Sequence, residues 1–378
     1  MARSAALARL SKDQSVRDFS QTPEPSSDPS SAPPGHSAAP PAVAHQRAAR
    51  IGAARSSGSR TEGHRDLLSL VEQLQGPLGL KLTNLDKVLY PDQGITKGEL
   101  IAYFAVVADW ALPHIAHRPL TVLRCPDGIR PHASRRPKPC FLQKHLSAGS
   151  PPPIAAVAIT ENGATASYMQ IHDMPGLVAL AQLAALEIHT WGAHADRPDH
   201  PDLLVFDLDP DEGLAWDEVA LGAFELRRRL HDAGLESFLK TTGGKGLHVV
   251  VPIARNVDWA HAKAFSKAVA LAMEHDEPAR YTTNHKKAHR KGKIFVDYLR
   301  NARGATFIAP YSPRALAGAP VAMPISWEEL AHGIDPAGFT TETVPGRLAT
   351  LHEDPWNALC DARQAITANA WRSVGGRP

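Results

Sequence analysis

Cysteine is scarce. Of 378 residues only Cys125, Cys140 and Cys360 are cysteines, none in a CxxC spacing, and an odd number cannot all pair. This excludes a small disulfide scaffold and suits a reducing compartment in which the three are buried, small apolar side chains. Long apolar runs are missing too. The best candidate, residues 177–186, falls short of the roughly 18 that a membrane helix needs and runs into Glu187 and His189. Residues 1–20 carry Arg3, Arg9, Lys12, Asp13, Arg17 and Asp18 without an apolar stretch, so no secretory signal is read there and the expected location is cytoplasmic. Charge of one sign is also lacking. Lys plus Arg count 41 against 39 Asp plus Glu, a net +2, which excludes a uniformly basic coat or an acidic tail. With 43% apolar and 21% charged residues the chain is neither a fibre nor wholly disordered, and no internal repeat is visible.

What is present divides unevenly along the chain. Seven prolines fall between Pro23 and Pro41 in a Pro, Ala, Ser and Gly background, so residues 1–65 are predicted to be a disordered arm. Residues 66–350 read as the folded domain and 351–378 as a C-terminal helix and tail. Thr96 followed by Glu99 fits a capping box, and Leu100, Phe104, Val107 and Ala111 share one helical face, predicting an amphipathic helix over 97–112 ended by Pro113. A second, more apolar helix is predicted over 173–191. From 203 the order is a strand ending in Asp207 and Asp209, a helix over 215–233, strands over 236–241 and 247–253 around a glycine turn, a helix over 258–275, and a hairpin of 293–299 with 305–309. This β-α-β-β-α-β order is the split ferredoxin-like arrangement, and the fold class is α/β (α+β).

In a strand, alternate side chains share a face, so Asp207 and Asp209 project together. Two adjacent carboxylates repel one another and favour a divalent cation. Asp297 lies in the apolar run Ile294-Phe295-Val296-Asp297-Tyr298, where a charge is costly unless something binds it. In the split βαβ order the first and last strands can be neighbours, which would bring Asp297 to the pair. Three carboxylates on two Mg²⁺ or Mn²⁺ ions suit in-line nucleotidyl transfer. The loop Thr242-Gly243-Gly244-Lys245-Gly246-Leu247-His248 offers amides, a hydroxyl, a lysine and a histidine to phosphate, without matching a Walker A spacing. Two basic strips complete the pattern. Residues 280–303 hold eight Lys or Arg against one Asp, and residues 124–144 hold six with Phe141 among them, which suits a nucleic-acid backbone and a stacked base.

These residues resemble the polymerase module of bacterial ligase D, an archaeo-eukaryotic primase-type nucleotidyltransferase of non-homologous end joining. The likeness runs from about Leu82 to Ala362. It is carried by Asp86-Lys87-Val88-Leu89-Tyr90-Pro91, Phe141-Leu142-Gln143-Lys144-His145, Leu186-Glu187-Ile188-His189-Thr190-Trp191, Phe206-Asp207-Leu208-Asp209-Pro210, the glycine loop and Phe295-Val296-Asp297-Tyr298. The resemblance implies a primase-polymerase fold with an RRM-like catalytic sheet over about 200–312 and a smaller N-terminal αβ subdomain. It implies Asp207, Asp209 and Asp297 as catalytic metal ligands, and Thr242, Lys245, His248, Arg290 and Arg314 around the triphosphate. It further implies His189 at the incoming sugar, Lys87 and Lys97 on a downstream 5′-phosphate, and Phe141 stacked at the template. Leu142 stands where a second aromatic is common in the family, and Thr242 where a serine is. No KxDG adenylation motif is present, so the expected protein is a free-standing, nucleoid-associated polymerase. Its expected substrates are NTPs, in preference to dNTPs, and DNA with gaps or broken ends. Its expected partners are Ku and a separate ATP-dependent DNA ligase.

Two other readings compete. Phe206-Asp207-Leu208-Asp209 also matches the nucleophile strand of a haloacid-dehalogenase-type phosphatase, but Asp211 stands where that motif wants Thr or Val. A non-catalytic module that holds DNA ends would gain nothing from three clustered carboxylates that repel phosphate.

Overall fold

The computed structural model describes Val71 and residues 79–129, 138–161 and 163–377. The arm read over 1–65 lies outside them, as do residues 130–137 of the first basic strip. In chain order the strands and helices are β1 (Val88–Tyr90), β2 (Ile95–Thr96), α1 (Lys97–Ile115), β3 (Leu120–Arg124), β4 (Phe141–Gln143), β5 (Ala155–Glu161) and β6 (Ala164–Gln170). Then come α2 (Met174–Gln182), β7 (Ala185–Thr190), β8 (Leu203–Pro210), α3 (Trp216–Asp232), β9 (Phe238–Thr241) and β10 (Leu247–Pro252). The remainder are α4 (Trp259–Asp276), β11 (Tyr281–Thr282), β12 (Ile294–Asp297), β13 (Phe307–Ile308), β14 (Pro324–Ile325), α5 (Trp327–Ala331), α6 (Val344–Thr350) and α7 (Ala368–Ser373). Among the described residues no helix is long and apolar enough to cross a membrane.

Thr96 and Glu99 form the predicted reciprocal capping box at the start of α1, a device that contributes about 1 kcal/mol. The helix departs from expectation in two ways. It continues through Pro113 to Ile115; the proline removes one donor and crowds the carbonyl four residues back, but only two helical residues follow it. It is also buried nearly all round rather than on one face, since it lies in the core against α2 and α6.

The predicted helix over 173–191 is half helix and half strand. α2 ends at Gln182, Ala184 takes a left-handed φ of 56°, and β7 carries Glu187 and His189 on alternate positions of one face. β7 is interior to a sheet of order β13-β7-β3-β6-β5, with β4 paired to β3. The predicted hairpin also fails. β12 pairs with β8, while β13 pairs with β7 in this other sheet.

The catalytic candidates ride on a second sheet of order β11-β12-β8-β10-β9-β14. Its inner four strands are antiparallel and follow the split βαββαβ connectivity. Strand parity sorts the two faces. Leu204, Phe206, Leu208, Leu239, Leu247, Val249 and Val251 join the core with α3, whereas Leu203, Val205 and Val250 pack with Phe307, Trp356 and Leu359 on the opposite face. The C-terminal segment closes the sheet, with the Trp356 indole N–H donating to the Leu239 carbonyl at 2.8 Å. α7 packs Trp371 edge-on against Phe265 of α4.

The cysteine expectation is corrected. Cys125 and Cys140 form a disulfide, and Cys360 is free and exposed. The β3–β4 register sets Arg124 opposite Phe141, so the residues flanking that pair meet across the ladder.

Candidate active site

Asp297 on β12 is the cross-strand partner of Asp207 on β8. Asp207 in turn faces His248 on β10, and His248 faces Lys240 on β9. One polar row therefore crosses four strands, with Asp209 two residues along on the same face. The three predicted carboxylates are brought together as strand geometry required.

Their surroundings are cationic. Asp207 meets the His248 Nε2 at 3.5 Å and the Arg300 guanidinium at 3.3 Å. Arg300 also reaches Asp297 at 3.3 Å, and Asp297 accepts the Leu299 N–H at 2.8 Å. Arg290 bonds Asp209 at 2.8 Å while its guanidinium lies 3.8 Å from the centre of the Phe295 ring. Burial pushes the Asp207 carboxyl up, but His248, Arg300 and Lys240 more than reverse this and leave it at about 2. Asp209 is held above the usual range by burial and by the charge of Asp207. Asp297 is likewise raised by burial, against Arg300 and the Leu299 amide. Three carboxyl groups on one face are hard oxygen donors of the kind a divalent cation takes. Among the described residues no group of three His, Cys, Asp or Glu is already gathered at metal-ligand spacing. In this structure the arginines screen the acids from one another.

Two buried nitrogens of the row have no hydrogen-bond partner, His248 Nδ1 and Lys240 Nζ. Burial, then the charge of Lys240, holds the His248 imidazole down at about 4, and burial keeps the Lys240 amine well below its ordinary value. Lys240 and Arg300 were not singled out from sequence as site residues; their signal was position, opposite His248 and three residues after Asp297.

The glycine loop sits beside the row. Thr242 donates its hydroxyl to the Gly246 carbonyl at 3.1 Å, closing the turn, while Lys245 is exposed and 3.7 Å from Glu212. Gly246 is obligatory for steric reasons, because a Cβ there would stand 2.6 Å from the Leu208 carbonyl oxygen. Gly243 has φ of 67° and leaves room for Arg314, whose Cγ would be 2.7 Å from an added Cβ. Arg314 donates Nη1 to the Thr242 carbonyl at 2.7 Å and Nε to Glu187 at 3.0 Å. Glu187 also contacts His189. Glu187 falls within the helix predicted over 173–191, and the alternation Leu186-Glu187-Ile188-His189 is the signal for the strand found there.

The remaining candidates lie on the other sheet and before it. Phe141 is 41% exposed on β4 with the Arg124 guanidinium 5.4 Å from its ring centre, and Leu142 beside it is 67% exposed. Lys87 reaches solvent and pairs with Asp127 at 2.7 Å. Lys97 is buried, its Nζ donating to the Thr83 carbonyl at 2.9 Å, and its ammonium is held low by burial and by Lys87. A separate open cleft of about 760 Å³, lined in part by Glu161, Asp199 and Arg303, contains none of these residues.

The family model for the LigD primase-polymerase domain matches residues 96–356, which takes in the whole polar row, the glycine loop and Glu187. The chain belongs to the LigD primase-polymerase domain family. It is thus a nucleotidyltransferase-type polymerase. It is similar to the multifunctional non-homologous end joining protein LigD of Pseudomonas aeruginosa, 36% identical over 299 residues, covering 79% of this chain and 35% of that protein. LigD of Mycobacterium tuberculosis strain H37Rv is 39% identical over 257 residues, 66% of this chain and 33% of that protein. The chain thus spans about a third of the length of these relatives. Among solved structures, the polymerase domain of Mycobacterium tuberculosis ligase D in complex with DNA superposes with a TM-score of 0.67 at 36% identity, covering 75% of this chain and 99% of that one.

Proposed function

We propose that this LigD-family polymerase extends or fills DNA ends against a template during non-homologous end joining, with a preference for ribonucleotides. The observation that carries this reading is the register of Asp297 opposite Asp207, with Asp209 on the same face. Asp207, Asp209 and Asp297 would hold Mn²⁺ or Mg²⁺, and such ions, when bound, supply Lewis-acid activation of a 3′-hydroxyl and neutralise the leaving pyrophosphate. Thr242, Lys245, His248, Arg290 and Arg314 would surround the triphosphate, and His189 the sugar. The half-buried Lys87, with the buried Lys97 near it, would receive a 5′-phosphate, and Phe141 would stack on a template base. Residues 66–350 would form the polymerase unit and 351–378 its closing segment. Its partners would be Ku and a separate ATP-dependent DNA ligase and its substrate DNA with gaps or broken ends; the end-joining role in the relatives' names and the DNA in the neighbouring structure support an end-joining setting and DNA binding.

The test is extension of a gapped duplex with each NTP and dNTP in Mn²⁺ or Mg²⁺. Asp207→Ala should reduce incorporation to background while DNA binding by fluorescence anisotropy is retained. Normal incorporation by that variant would sink the assignment.

A further inference from the structure

Glu187 has no place in the proposed chemistry, yet both of its carboxylate oxygens are engaged. Its Oε1 accepts the Arg314 Nε at 3.0 Å and the Ala315 N–H at 2.9 Å, and its Oε2 lies 2.9 Å from the His189 Nε2. Arg314 then bonds the Thr242 carbonyl in the glycine loop. Burial pushes this carboxyl up, but His189, Arg314 and the Ala315 amide outweigh it, leaving it at about 2. An ionised carboxylate only accepts. The His189 Nε2 must therefore carry the proton, and in the neutral ring Nδ1 is left as an acceptor.

We propose that Glu187 is a positioning residue that fixes the His189 tautomer and couples it to Arg314, so that His189 presents Nδ1 as a hydrogen-bond acceptor to a hydroxyl of the nucleotide sugar. This rests on the reading of His189 at the sugar and Arg314 at the triphosphate. One side chain then registers the two ends of the nucleotide against each other.

Glu187→Gln tests the idea because it keeps shape and reverses one atom. The Oε1 side faces two N–H donors, so the amide oxygen must stay there and the NH₂ must face His189. The His189 Nε2 would then have to accept, and the ring proton would move to Nδ1. Imidazole ¹⁵N shifts of the free protein should report Nε2–H in the wild type and Nδ1–H in Glu187→Gln. The variant should lose up to about 100-fold in kcat/KM for NTPs, the scale of a misplaced reacting group, and distinctly less in a His189→Ala background. Nδ1–H in the wild type, which needs no variant to fold, would overturn the proposal. So would an unchanged tautomer in Glu187→Gln or an equal cost in both backgrounds. Because the tautomer is read without nucleotide or DNA, a wild-type protein that extends nothing overturns the polymerase reading instead.

Discussion

Asp207 is met by His248 and Arg300 and shares its row with Lys240, so its charge is held firmly. Asp354 shows the opposite case. Burial raises its carboxyl to about 6, with only part of the cost relieved by the Trp356 N–H it accepts and by Arg347. A carboxyl whose folded value lies above its unfolded value contributes stability below the unfolded pKa and loses it as pH rises through the folded one. The wild type should therefore lose stability between about pH 4 and 6 through this group. Asp354→Asn keeps the acceptor for Trp356 and removes the charge. Its Tm, followed by scanning calorimetry, should fall less over that window; parallel pH profiles would refute the assignment.

At the scale of elements, β8, β10 and the loop between β9 and β10 form one device. The Leu208 carbonyl lies between the two acids and against Gly246. Gly246→Ala should thus displace the strand that carries Asp207 and Asp209, costing roughly 1–3 kcal/mol in unfolding and most of the turnover. Retained turnover with an unchanged denaturation midpoint would show that the loop can give way. This device was largely legible in the sequence, because the apolar run before Asp207, the glycines and the lone acid in Ile294-Phe295-Val296-Asp297 are local signals with strand parity. β7 was not. Residues 173–186 have helical composition, and the alternation that marks the strand is short and begins within them, after the left-handed Ala184. The β12–β13 link failed for another reason: turn residues at 301–304 announce a reversal, but sheet partners decide where each strand goes.

For the whole molecule, the disulfide ties the end of β3 to the start of β4, where Phe141 is exposed. Closing a loop with a sequence separation of 15 stabilises the fold by about 3 kcal/mol through the unfolded chain. Cys140→Ser should unfold at lower temperature and be indifferent to dithiothreitol, whereas the wild type should lose a similar increment on reduction. A wild-type Tm that ignores the reductant would contradict the pairing's contribution. No sequence spacing announces this bond, since it depends on the register of the two strands at the ends of the first basic strip.

The row Asp297, Asp207, His248, Lys240 also bears on how such a protein can vary. Each member is fixed by ladder register, and inserting one residue in β8 or β10 would turn its acids or imidazole into the apolar core and its leucines outward. Lineages should therefore accept apolar replacements of similar volume at the core positions of these strands, yet confine changes of length to the connections between them.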